Sequence, residues 1–262
     1  MTAARTSATY LYCLVEADRR PSSAAAPPGV PGAGALRIVP AADRLWLVAA
    51  EAPLKLYGSE PIERGLGDLE WVAVRGAAHA RVVQHFARRF TTVPMKLFTL
   101  FSTEDRAVAH VRGAEARVRR VLARVAGRQE WGVRVRLDAA LARRRAPRQP
   151  APAASPRRAG THFLLAKKRE RDVARAVLRD GRAAVEDAFQ ALAGLAEGTR
   201  RRAAAELNGT PLVLDAALLV EARQGARFRR AVRRTATALA ARGYRLSLTG
   251  PWPAYNFVSD DR

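Results

Sequence analysis

Residues 142–160 constrain this chain more than any other stretch, because they carry four prolines and six arginines with almost no bulky apolar side chain. Such a segment cannot bury a core and reads as a charged, self-repelling linker. It divides the 262 residues into domains at 1–141 and 161–262, each long enough to enclose a core.

In the first half, apolar strands at Tyr10 to Val15, Leu36 to Val39 and Leu45 to Ala50 are separated by the turn-rich run Pro27-Pro28-Gly29-Val30-Pro31-Gly32-Ala33-Gly34. His79, Val82, Val83, Phe86 and Phe90 then recur at helical spacing, and Val93 to Phe101 returns to extended character. Thr103-Glu104-Asp105-Arg106 opens a second helix with acidic residues in its first turn, striped by Val108, Val111, Val118, Val121, Leu122 and Val125. Glu130 to Leu137 reads as another strand, which predicts a sheet with helices on one face.

Beyond the linker a helical region is expected from His162 to Arg202, bent or broken at Gly181. Two antiparallel helices, or one helix paired with a partner chain, satisfy its pattern equally. Strand Pro211 to Glu221, helix Ala226 to Ala241 with Phe228, Val232, Thr235 and Leu239 inward, and strand Tyr244 to Leu248 follow, with Gly243 as the helix stop. The expected class is α+β: two domains, each a small, mostly antiparallel sheet with helices packed on it, the second helix-rich with a long helical hairpin or coiled-coil-like segment.

Chemistry is sparse. Cys13 is the single cysteine and lies mid-strand, so the chain can form no internal disulfide and no cysteine cluster for a metal. His79 and His85 are six apart and miss the spacing of a helical metal pair, while His110 and His162 stand alone. Gly32-Ala33-Gly34 precedes a strand and lacks the rest of a phosphate loop, so it reads as a turn. No nucleophile with its base can be assembled, and the expectation is a non-catalytic protein without cofactor or metal. No leader-like or membrane-spanning apolar run is present, which points to a cytoplasmic protein without a membrane partner.

The net charge of +22 invites a nucleic-acid reading. Against it, 42 of the 46 basic residues are arginines in an Ala-rich chain, spread through several segments. A basic solvated surface or an acidic protein partner is the first reading, and binding of nucleic acid or another anionic partner the alternative.

The terminal Thr249-Gly250-Pro251-Trp252-Pro253-Ala254-Tyr255-Asn256-Phe257-Val258 is rigid and aromatic. It resembles the Gly-Pro-Trp-Pro-x-Tyr-x-Phe terminus of the gas vesicle protein F/L family. Further segments resemble that family in the same order: Tyr10-Leu11-Tyr12-Cys13-Leu14-Val15, Ala77-Ala78-His79-Ala80-Arg81-Val82-Val83, Val93-Pro94-Met95-Lys96-Leu97-Phe98-Thr99, Glu130-Trp131-Gly132-Val133-Arg134-Val135 and Leu214-Asp215-Ala216-Ala217-Leu218-Leu219-Val220. Lys96 stands where the family's arginine is usual, and Leu97-Phe98 where Phe-Gly is.

The resemblance implies an accessory or minor structural protein of gas vesicle assembly that binds the small hydrophobic shell protein and possible further accessory proteins. The expected binding surface is the N-terminal sheet and its helix, with Phe86, Lys96, Phe98 and Phe101. Trp252, Tyr255 and Phe257 are expected to fasten the tail across the two domains.

Overall fold

A computed structural model of the chain describes residues 5–138, 181–203, 206–207 and 210–258. The Pro/Arg stretch and the first part of the expected long helix lie outside the described residues. Two compact units emerge, and they do not follow the expected division. The first comprises Met1–Glu130 together with Pro251–Arg262, the second Trp131–Gly250.

The first unit is built on an antiparallel sheet of β1 (Ser7–Glu16), β2 (Arg37–Ala42), β3 (Leu45–Pro53), β4 (Thr91–Pro94) and the two-residue β5 (Leu100–Phe101). Its order is β2-β3-β1-β4, with β5 also paired to β1. Central β1 reads as a continuous apolar run because residues 8–15 are all buried. On one face, Tyr10, Tyr12, Cys13 and Val15 pack with Ala78, Val82, Val83 and Phe86 of a long helix, α3 (Leu69–Ala87). Residues 12 and 13 can share that face because the β1–β3 register shifts between Leu11 and Cys13, a bulge centred on Tyr12.

Two short helices, α1 (Leu54–Tyr57) and α2 (Ser59–Leu66), precede α3. Helices α4 (Glu104–Gly113) and α5 (Glu115–Val125) pack on β2 and β4. They bury Ala107, Val111, Val121, Leu122 and Val125. The expected arrangement of helices on one face is therefore corrected: the sheet is too apolar on both sides to leave one wet. Thr103 caps α4 by accepting from the Arg106 N–H at 3.2 Å, as its sequence suggests.

The second unit contains a sheet ordered β10-β6-β9-β7, formed by β6 (Arg128–Leu137), β7 (Gly198–Arg201), β9 (Thr210–Glu221) and β10 (Tyr244–Trp252), with the short β8 (Glu206–Leu207) beside β9. Trp131, Val133 and Val135 alternate on β6, as do Leu214, Ala216, Leu218 and Val220 on β9, to face one core. Helix α6 (residues 181–193) contributes Val185, Phe189 and Leu192, and α7 (Gly225–Ala240) contributes Phe228, Val232 and Leu239.

Two expectations change here. The helix expected to reach Arg202 ends near residue 193, and Gly198–Arg201 instead pairs antiparallel with Ala216–Leu219. No described segment forms the helical hairpin or coiled coil. Gly181 also serves packing: a Cβ there would sit 2.0 Å from the Tyr244 hydroxyl, and the bend expected at this position lies outside the described residues. Strand β10 also runs past Leu248 through Pro251, which it tolerates because β10 is an edge strand.

Candidate functional site

Tyr10 and Tyr12 are fully buried, their ring centroids 4.7 Å apart. Buried phenols need partners. Tyr10 donates its hydroxyl proton to His79 Nδ1 at 2.9 Å and accepts the Phe98 N–H at 3.3 Å. His79, only 3% exposed, turns Nε2 toward the Met95 carbonyl at 3.1 Å. A carbonyl can only accept, so the proton resides on Nε2 and Nδ1 is free to accept from Tyr10. The imidazole is neutral, its pKa lowered to about 4 by burial, an effect the Met95 carbonyl only partly offsets.

Tyr12 accepts the Val30 N–H at 2.8 Å, and Tyr57 donates to the Pro31 carbonyl at 2.6 Å. The same aromatic group thus pins both the proline-rich turn and the loop between β4 and β5.

That loop and the strand after it carry three of the four expected binding residues, Lys96 and Phe98 in the loop and Phe101 on β5. Lys96 is exposed, while Phe98 and Phe101 are half-buried. Phe98 holds a left-handed backbone at φ 64°, which is costly for a bulky side chain and persists because its N–H is tied to Tyr10. Its ring packs 5.3 Å from that of Trp71, and Phe101 lies 5.2 Å from His110. Phe98 and Phe101 share the wall of a cavity of about 470 Å³ with Tyr57, Ile62 and Leu100. Phe86 is not brought to this place. It is 1% exposed and belongs to the core beneath α3.

A more exposed apolar feature went unread in the sequence. Leu66 is 56% exposed, Leu69 86% and Val74 49%, three of the four large apolar side chains most open to solvent among the described residues. They lie on α2 and α3, where Leu69, Ala73 and Ala77 share one exposed face at four-residue steps and Val74 borders it. Glu60, Glu63, Asp68 and Glu70 lie in the same stretch of an otherwise basic chain, Glu60 paired with Arg64. Asp68 also fixes the start of α3, its carboxylate accepting from the Glu70 and Trp71 N–H groups. That capping aspartate was the signal available for the helix start.

The fourth exposed residue is Trp252, at 41%. The tail is held instead by its neighbours within the first unit. Tyr255 packs against the tyrosine core, and Phe257 is 3% exposed. Asn256 donates from its backbone N–H and its side-chain amide to the two oxygens of Glu130, at 2.8 and 2.5 Å. Glu130 is itself 5% exposed, so those donors satisfy a buried carboxylate.

The remaining chemistry is quiet. Cys13 is buried and its thiol is pushed up by desolvation. Among the described residues no group of three or more histidine, cysteine and acidic side chains is placed to hold a metal, and no helix is long and apolar enough to cross a membrane.

A family model described as gas vesicle synthesis protein GvpL/GvpF matches residues 8–259. Gas vesicle protein L of Streptomyces sp. (strain CB03234) is 29% identical over 259 residues, covering 95% of this chain and 92% of that protein. The crystal structure of gas vesicle protein GvpF from Anabaena sp. PCC7120 superposes with a TM-score of 0.68 at 17% identity, covering 98% of both chains. The corresponding structure from Microcystis aeruginosa gives a TM-score of 0.66 at 13% identity over 96% of this chain and 99% of that one. The two superpositions establish a common fold.

Proposed function

The chain belongs to the GvpL/GvpF family of gas vesicle synthesis proteins, and from that premise we propose that it is a non-catalytic assembly factor or minor structural component that binds the small hydrophobic shell protein. A subunit that polymerises into a water-excluding wall must be kept soluble and delivered in order. A folded binder does this by covering the subunit's apolar face without bond chemistry. The observation that carries this reading is the exposure of Leu66, Leu69 and Val74 on the first unit. Phe98, on the same loop as Lys96, and Phe101 of β5 form a second and more recessed apolar surface in that unit.

A non-catalytic role is supported by the state of the groups best suited to chemistry. His79 has both ring nitrogens engaged away from solvent, and Cys13 is sealed in the core.

Co-expression with the shell protein of the same organism, followed by purification at low and high salt, tests the proposal. Recovery of a soluble complex at high salt is expected, because apolar contacts are not screened. Leu69→Glu should abolish that recovery while leaving the melting temperature within about 2 °C, since Leu69 contributes little to the core. No complex with the unaltered chain, or full binding by Leu69→Glu, would overturn the reading or its assignment to this face.

A further inference from the structure

The net charge has an uneven address. Residues 131–250 carry +16 of the total +22, and its densest part within the described residues is helix α7. Arg227, Arg229, Arg230, Arg233 and Arg234 are all exposed. Their arrangement follows from the opposite side of the helix, where Phe228, Ala231, Val232 and Leu239 are buried. Arg227, Arg230 and Arg234 fall in one row at steps of three and four, about 10 Å long. Arg229 and Arg233 form a second row beside it.

The helix supplies no acidic residue between Gly225 and Ala240. No ion pair joins these five arginines to a carboxylate among the described residues; Arg229 only faces the Trp131 ring, at 5.8 Å. Elsewhere in the unit Arg201 is neutralised by Glu186, Arg202 by Asp215 and Arg245 by Asp138. Like charges at these spacings repel, and those in the first turns also oppose the positive end of the helix dipole. Among the described residues these cations therefore form an unpaired strip one helix wide.

We propose that this face of α7 docks an acidic polypeptide segment of another gas vesicle protein, whose carboxylates pair with Arg227, Arg230 and Arg234. The proposal rests on the assembly reading given above. Arginine presents the planar fork that takes a carboxylate through two hydrogen bonds. A single-stranded nucleic acid would want stacking aromatics, and the exposed side of α7 offers none. A duplex spreads its charge over a wider surface than one helix and is the competing occupant.

The test uses the full chain alone, so its failure is distinct from failure to bind the shell protein. Fluorescence anisotropy would be measured with labelled poly-L-glutamate and with a duplex DNA of matched charge. The variant Arg227→Gln/Arg230→Gln/Arg234→Gln is compared with Arg88→Gln/Arg89→Gln/Arg106→Gln, which removes the same charge from exposed positions in the first unit. Poly-L-glutamate affinity is expected to fall about tenfold in the α7 variant and much less in the other. Replacing the three α7 arginines by lysine should recover only part of the loss, because lysine keeps the charge and not the fork. Equal losses in both glutamine variants would overturn the site. Tighter binding of the duplex, with a steep salt dependence lost in the α7 variant, would overturn the choice of partner.

Discussion

His79 acts through the proton it does not take up. Its pKa of about 4 in the folded chain lies below the ordinary 6.5, so between those values the unfolded chain binds a proton that the native state refuses. Stability is thus full above pH 6.5 and falls as pH drops through that window, by an amount on the order of 3 kcal/mol. Urea titrations across this range should show the slope, and His79→Phe should flatten it. Tyr10→Phe is expected to cost about 1–3 kcal/mol, because it removes the proton that Nδ1 accepts and the oxygen that receives the Phe98 N–H. The same variant should speed proteolysis between residues 95 and 99, where Met95 and Phe98 are the loop's ties to the network. An unchanged cleavage rate would show that the loop's backbone bonds to Leu11 and Tyr12 and its ring contacts hold it without the hydroxyl.

Among the elements, the tail divides into side chains that anchor and one that does not. Phe257→Ala should destabilise the first unit by about 3–5 kcal/mol in denaturant titration, and Asn256→Ala by about 1–3 kcal/mol through the carboxylate of Glu130. Trp252→Ala should stay within about 1 kcal/mol, because the indole is 41% exposed. A large loss there would mean that the indole has a burial its exposure conceals. The tail's aromatics are visible in the sequence, but which of them is buried is decided by partners more than a hundred residues away. The same limit shows elsewhere. Thr103 and Gly243 mark a helix start and stop by local chemistry, and both are legible. The expected helix through Arg202 failed because Gly198–Arg201 finds a ladder on β9, and sheet pairing outweighs the helix propensity of an Ala- and Leu-rich stretch. Leu66, Leu69 and Val74 escaped notice for a similar reason: helical spacing reveals a face and cannot tell whether anything covers it. Phe86 fitted both descriptions of an aromatic on a helix, core and contact, and packing chose the first.

For the molecule as a whole, the two units differ in charge and in the surface each offers. The first carries an exposed apolar corner and the second an arginine face, and on the proposed reading the two would take assembly partners of different chemistry. Their separation by sequence is also less simple than a linker suggests, since the first unit takes in residues from both sides of the second. Removal of residues 251–258 should accordingly speed hydrogen exchange in β1, and leave exchange in β9 nearly unchanged; the reverse pattern would refute this partition. During synthesis the order matters too. Glu130 emerges long before Asn256, 126 residues later, supplies its donors. Until then a buried carboxylate and part of the tyrosine core remain open, so the unit whose chain begins first is completed after the other can already have folded. A ribosome paused within the second unit would display an unfinished first unit with apolar surface exposed, which is a natural moment for chaperone capture.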